Sequence, residues 1–500
     1  MHRHRPTLKY QDGPVDTLLD PAAVALLREA LASARYTSEG IKRHLGEEAA
    51  AACARNDFRA ALRITQAQGD RLATLIRLFI CGQTEPLDRV AAALAPLPLE
   101  SAAALLEADG DGVRAALELE PYGDWWVVAD LSAGMRPGRP LPADHVLGIG
   151  GASTTLAAAT LRRPAGTALD LGTGCGVQAL HLSTHAGRVT ATDLSHRALR
   201  FAATTAALNG LDWELLEGDL TRPVAGRRFD LVVSNPPFVA GPGTTAHTYR
   251  DSGRPGDAVC AELVTAAPGL LAEGGHMQFL ANWLHVAGED WRDRVNDWLA
   301  GTGLDAWVIQ REVSDPLAYV NLWLADASED PAAQPALAAA WLDWFDAQKV
   351  DAVGFGLITL RAAGHDDPTV RLEDLRQGVD GPLGPLIGDW FDRQDFLRHA
   401  DLLASRLTAA PGLRLRQEAG LGAEGWEVER QLLVLPDGLR WIEEVDPVAL
   451  SLVGGCDGSV TLQAQVDLLA AAHSVPPEVL AEVAVPLVAH LVERGILRPA

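Results

Sequence analysis

Ser234-Asn235-Pro236-Pro237-Phe238 is the stretch of this chain whose residue types most clearly suit a reaction. It follows an apolar run, residues 229–233, that reads as a strand. Two consecutive prolines remove two backbone donors and fix the chain, so the Asn235 side-chain oxygen and the Pro236 carbonyl are expected to point at one donor. An NH2 group matches a pair of acceptors. The nitrogen of an amide or of a ring amine is a poor nucleophile because its lone pair is delocalised. Acceptors on both hydrogens turn that lone pair toward an electrophile and stabilise the positive charge that develops on nitrogen, so no strong base is needed. Alignment of the two reactants supplies much of the remainder. Phe238 would stack on the planar group. The plain alternative is a rigid Pro-Pro loop ending a strand.

Upstream, Asp170-Leu171-Gly172-Thr173-Gly174-Cys175-Gly176 lies between a predicted strand and a predicted helix. Its glycines allow a tight turn and let a ligand approach bare backbone, although an ordinary turn would read the same way. The next predicted strand ends at Asp193, about twenty positions after the first glycine, where an acidic residue grips a ribose diol in nucleoside-binding folds. The third ends in Glu217-Gly218-Asp219, an acceptor at a strand's carboxyl end or else a helix cap.

In these motifs the chain resembles the class I S-adenosylmethionine-dependent methyltransferases, over roughly residues 150–363. The resemblance implies that the loop from Gly172 to Gly176 cradles the methionine part of the cofactor, that Asp193 binds its ribose and that Asp219 binds its adenine amine. Asp170 and Asn235 complete the cofactor set it implies, and Asn235, Pro236, Pro237 and Phe238 are the catalytic set. A pyrophosphate-binding dehydrogenase fits less well, because its Gly-x-Gly-x-x-Gly spacing is not the Gly172-x-Gly174-x-Gly176 spacing found here. Asn-Pro-Pro-Phe is similar to that of two groups, the release-factor glutamine methyltransferases and the nucleobase amine methyltransferases. Residues 168–180 and 234–238, with the Ala/Arg-rich composition, also resemble an actinobacterial-type methyltransferase group. Tyr249 and Asp251, in the loop after the tetrapeptide, are substrate-binding candidates, with a solvated turn as the alternative. Residues 144–155 would lie over the cofactor, or Ser153 or Thr154 would simply cap a helix. The Pro-Arg-Pro motif of the glutamine group is missing, which counts against a release-factor substrate, and the winged-helix-like flanks, the first carrying Arg55, Arg59 and Arg63, turn the expected acceptor toward an exocyclic base amine in RNA. A protein glutamine amide, a small-molecule acceptor and a non-catalytic cofactor-binding scaffold are the other readings.

The elements that must position these residues follow from periodicity. Residues 168–171, 188–192, 213–216, 229–233, 276–280, 306–313 and 353–360 read as strands, mostly separated by helical stretches, which implies right-handed crossovers and a largely parallel sheet covered on both faces. The expected fold is α/β: a Rossmann-like, seven-stranded methyltransferase sheet flanked by N-terminal and C-terminal helical or winged-helix domains. The expected boundaries are a tail at 1–20, an N-terminal domain at 21–132, a linker at 133–150, a methyltransferase domain at 151–363 and a C-terminal domain at 364–500. Asp20-Pro21 opens the first helix with a cap and a first-turn proline. A later helix is expected to run through Leu105 and Leu106.

The formal charge of -24 argues against sequence-blind polyanion binding. It leaves room for a local basic face, and Arg55, Arg59 and Arg63 at spacings of four would line one side of a helix, with Arg71 and Arg77 nearby. A solvated helix face is the alternative. Cys53, Cys81, Cys175, Cys260 and Cys456 form no Cys-x-x-Cys pair, and the histidines form no ligand pattern, so neither a disulfide framework nor a metal is expected. With no signal-like or membrane-spanning apolar run, a cytoplasmic location is expected, with a macromolecular substrate and no membrane partner. If Asp193 holds the ribose, Asp193→Ala is expected to weaken S-adenosylmethionine binding by roughly one to two orders of magnitude, the worth of a charge-assisted pair of hydrogen bonds, as read by calorimetry.

Overall fold

A computed structural model describes residues 15–136, 141–243, 245, 247–326 and 330–500. Two compact units result: one comprises Met1–Ala157 with Arg163–Asp374, the other Ala158–Arg162 with Leu375–Ala500.

The first unit is built on a single mixed sheet. Its strands are β1 (Ala165–Leu171), β2 (Ala186–Asp193), β3 (Trp213–Glu217), β4 (Phe229–Ser234), β5 (Leu271–Val286), β6 (Asp305–Ser314), β7 (Val350–Arg361) and β8 (Val370–Asp374). Their order across the sheet is β8-β6-β7-β5-β4-β1-β2-β3, and β7 runs antiparallel to both its neighbours. All seven expected strands are present, extended at their ends. The sheet has eight strands rather than seven, because β8 pairs in parallel with β6 beyond the point where the alternation was expected to stop. Val-Arg-Leu-Glu-Asp is short and charged, as an edge strand with one neighbour can be. The Trp307 indole N–H fixes it by donating to Glu373 at 2.7 Å.

The strands' apolar runs meet helices on both faces. The helix Ala258–Leu270 seats Val259, Leu263, Val264 and Ala267 against Phe229, Val232, Met277 and Phe279. A second cluster gathers Tyr319, Trp341 and Phe345 with Val353 of β7. Trp283 of β5 stacks on Trp291 with ring centroids 5.2 Å apart.

Before the sheet comes a helical region opened as expected at Pro21–Ser33, where Asp20 accepts from the Ala23 N–H. The expected helix through Leu105 and Leu106 is not formed. Leu106–Asp109 is a strand paired with Gly112–Ala115 across a two-residue turn, with Gly110 at φ 57°. A second hairpin, Glu118–Tyr122 with Trp125–Ala129, turns at Gly123 and Asp124. Asp-Gly and Gly-Asp pairs favour such tight turns and here outweigh the helix propensity of Ala, Leu and Glu. Arg55 lies outside the helix Arg59–Thr65, so the three arginines do not share one helix face. Arg59 pairs with Asp57, Arg77 is buried against Glu85, and Arg71 donates to the Ala93 carbonyl.

In the second unit, the helices Leu462–His473 and Pro477–Glu493 precede a short strand, Leu497–Pro499. That strand joins a three-stranded sheet with Arg406–Ala409 and Asp457–Thr461. A separate three-stranded meander holds Arg414–Gly422, Gly425–Val434 and Ile442–Glu444. No helix among the described residues is long and apolar enough to cross a membrane.

Candidate functional site

The carboxyl ends of β1, β2, β3 and β4 open onto one cavity of about 180 Å3. Between β1 and the helix Val177–Leu182 the chain must turn sharply, and Gly172, Gly174 and Gly176 take φ values of 77°, 56° and 93°. Gly172 and Gly174 line the cavity, and a Cβ on either would meet open space. Gly176 serves packing instead, since a Cβ there would lie 2.6 Å from the Trp213 ring and its bareness lets β3 come close. Asp170 is fully buried and does not line the cavity. Its Oδ2 accepts from the Thr173 hydroxyl at 2.6 Å and the Ala179 N–H at 3.0 Å, so it shapes the loop from beneath. Burial pushes its carboxyl up to about 7.

Asp193 lines the cavity at the end of β2. Its two oxygens accept from the N–H groups of Gly174 (2.9 Å) and Ser195 (2.8 Å), which fixes the carboxylate against the glycine loop. Burial raises its pKa, against the pull of those N–H groups. Asp219, after β3, also lines the cavity, but Arg254 lies 3.3 Å from its Oδ2 and Arg222 lies 3.7 Å away.

The tetrapeptide enters from β4. Ser234 is buried and its hydroxyl donates to the Leu171 carbonyl at 2.7 Å. Asn235 and Pro237 line the cavity, and the buried Asn235 Oδ1 has no hydrogen-bond partner. Two expectations need correction. Pro236 is buried and does not line the cavity, and its carbonyl accepts from the Phe238 N–H at 2.7 Å in a tight turn, leaving one lone pair. Phe238 does not line the cavity: its ring packs edge-on to Trp323, with centroids 6.1 Å apart, and its backbone bridges to Asp251.

Tyr249 and Asp251 do line the cavity. The Tyr249 hydroxyl donates to Asp326 at 2.8 Å and its ring lies edge-on to His145 at 6.2 Å. Asp251 is turned inward, accepting from the His247 N–H at 2.9 Å. Residues 144–148 and Ser153 form the rest of one wall. Ser153 and Thr154 sit inside the helix Gly151–Ala159 and not at its cap. Among the described residues no group of three or more His, Cys, Asp or Glu could hold a metal ion.

Four residues of the site carried no signal that sequence reasoning used: Asp130, Gln178, Arg197 and Arg254. Asp130 accepts from the Val146 N–H at 2.8 Å and is paired with Arg197, which also donates to the Asp144 carbonyl at 3.1 Å. This network holds the 144–148 wall against the helix after β2. Gln178 donates to the Ser153 carbonyl at 2.8 Å. Arg254 also pairs with Glu262 at 2.5 Å, bracing the loop after the tetrapeptide against Asp219.

Sheet order, glycine turn and strand-end acids together define a class I Rossmann-like methyltransferase domain, and the comparisons with known proteins narrow it. Residues 149–289 match the family described as methyltransferase small domain. Residues 33–116 and 388–499 match two domains of unknown function, DUF7059 and DUF7782. The chain is 33% identical over 216 residues to the release factor glutamine methyltransferase of Xylella fastidiosa, covering 39% of this chain and 76% of that protein. It is 34% identical over 142 residues to ribosomal RNA small subunit methyltransferase C of Haemophilus influenzae, covering 28% of this chain and 39% of that protein. Over 73 residues it is 49% identical to the release factor glutamine methyltransferase of Deinococcus radiodurans, covering 14% and 26%. The chain belongs to the class I S-adenosylmethionine-dependent N-methyltransferases. It spans only about two fifths of the length of the Haemophilus relative.

Asp130 serves both the Val146 N–H and the Arg197 guanidinium, so its removal leaves that N–H without an acceptor and Arg197 with Asp144 alone. Asp130→Ala is expected to speed amide exchange across residues 144–148 and to lower cofactor affinity by roughly tenfold, checked by exchange mass spectrometry and calorimetry.

Proposed function

We propose that the chain transfers a methyl group from S-adenosylmethionine to a planar NH2 group of a macromolecule, and that the acceptor is an exocyclic base amine of a structured RNA. The observation that carries the reaction class is the unpartnered, buried Oδ1 of Asn235 in the cavity wall. A buried acceptor without a donor is unfavourable by about 1 to 3 kcal/mol, and a substrate N–H removes that penalty. The residues present fit the cofactor: Gly172 and Gly174 offer bare backbone, and Asp193 is held in place beside them.

When bound, the cofactor supplies an electrophilic methyl on sulfonium. Asn235 Oδ1 accepts one hydrogen of the substrate NH2, and the remaining lone pair of the Pro236 carbonyl accepts the other. Held this way, the nitrogen lone pair would face the methyl that the cofactor supplies, whose bond to sulfur would break with the electron pair left on the thioether, and both acceptors would strengthen as positive charge grows on nitrogen. The extra proton leaves afterwards to solvent. His145 and Tyr249, on the cavity wall, give the flat surfaces that Phe238 was expected to give. Asp219 takes the adenine amine with the carboxylate lone pairs that Arg254 leaves open.

The ribosomal RNA relatives and the winged-helix reading of both flanks support RNA, and a cytoplasmic location belongs to the same reading. The glutamine amide is the second reading. Asp144, Asp193, Asp219 and Asp251 make the cavity acidic, and Arg59, Arg71 and Arg77 are engaged within the protein. Labelled methyl transfer to fractionated cell RNA, DNA and protein separates the two: label in RNA supports the first, and label in protein alone replaces it with the second. Asn235→Ala is expected to lower turnover at least about a hundredfold while leaving cofactor affinity within a few-fold, because its bonds strengthen only in the transition state. Near wild-type turnover in that variant would sink the mechanism.

A further inference from the structure

The hairpin Glu118–Tyr122 with Trp125–Ala129 lies between the stretches matched at 33–116 and 149–289, yet it packs against the cofactor loop. The Tyr122 hydroxyl is 2.9 Å from His181 Nε2, and the Trp125 ring meets the same histidine edge-on at 5.1 Å. That histidine lies in the helix Val177–Leu182, which the glycine loop feeds. Alternation along the strand places Glu118 and Glu120 on the face that carries Tyr122.

Glu118 does not itself line the cavity; its carboxylate stands directly behind Gly148 of the wall and accepts from the Ser132 backbone. A Cβ built on Gly148, which lines the cavity, would sit 3.4 Å from Glu118 Oε2 and 3.3 Å from the Ala129 Cβ, so the missing side chain is what leaves the carboxylate within reach. Among the described residues neither Glu118 nor Glu120 is paired with a cation. Burial pushes Glu118 up to about 8 and Glu120 up to about 7. A second, independent acceptor lines the same cavity. Gln178 is 5% exposed and lines the cavity; its Nε2 is spent on Ser153, while its buried Oε1 has no partner.

We propose that Glu118 and the Gln178 side-chain oxygen form the seat of the α-ammonium group of the cofactor's methionine part, so that the N-terminal hairpin completes the cofactor site. The inference rests on the cofactor reading above. An ammonium group has three donors and a positive charge, which suits one carboxylate and one amide oxygen. Asp170, the acid nearest the loop in sequence, is fully buried and does not line the cavity; its Oδ2 is held beneath the turn by Thr173 and Ala179, while its Oδ1 has no partner.

Calorimetry with S-adenosylhomocysteine and with its analogue carrying hydrogen in place of the α-amino group tests the assignment. For Glu118→Gln, affinity for S-adenosylhomocysteine is expected to fall about tenfold or more, while affinity for the deamino analogue stays within about twofold. Gly148→Ala, which places a methyl between cavity and carboxylate, is expected to show the same selective loss. The ratio of the two affinities does not depend on how much of a variant is folded. An unchanged ratio in both variants overturns the assignment, whether the individual affinities hold or fall together. Failure of the wild-type protein to bind either ligand overturns the cofactor reading itself.

Discussion

The pairing of β1 with β4 is the constraint on which the site depends. Leu171 and Ser234 are register partners, and the Ser234 hydroxyl donates to the Leu171 carbonyl at 2.7 Å. Chain leaving β1 turns into the glycine loop and chain leaving β4 turns into the tetrapeptide, so this one register sets the two halves of the chemistry side by side. A parallel sheet whose helices cover both faces leaves its strand ends as the open place for a ligand. A slip of one residue would turn Asp170 and Ser234 to the opposite faces and destroy both turns.

Around that pairing, acids are used in two physically different ways. Asp170 is enclosed and hydrogen-bonded to its own loop, and Asp257 is enclosed and bonded to Arg294 and the Leu284 N–H. Such groups fix backbone. Asp193, Asp219 and Asp251 edge the cavity, each partly satisfied by neighbouring N–H groups or arginines. Their remaining lone pairs are the ones left at the cavity's edge. The net charge of -24 is therefore partly architectural and bears less on the substrate than its size suggests.

The region before the sheet does more than stand beside it. Asp130, at the end of one hairpin, grips Val146 and Arg197 and so holds the cavity wall, while Tyr122 and Trp125 brace the helix after the glycine loop. The matched stretch 149–289 thus lacks the 144–148 segment of its cavity wall and the Asp130 that grips it, and supplies only Arg197 to that network.

Sequence alone determined the elements whose signal is local. Strand periodicity placed β1 to β7, Asp20-Pro21 opened its helix, and the glycine turn, Asp193, Asp219 and Asn235 were legible because residue type and offset from a strand end suffice to place them at one sheet edge. Tertiary structure decided what depends on residues far apart in the chain. Leu106–Asp109 became a strand because a partner strand and a glycine turn were available. β8 formed because β6 offered an unpaired edge. Asp170 stayed out of the cavity lining with its Oδ2 claimed by Thr173 and Ala179, and Phe238 turned to Trp323, 85 positions later, because the turn at Pro236 aimed it there. A carboxylate or a ring reads the same in any sequence. Which neighbours satisfy it, and whether a lone pair such as Asn235 Oδ1 is left over, is fixed only when distant segments close around it.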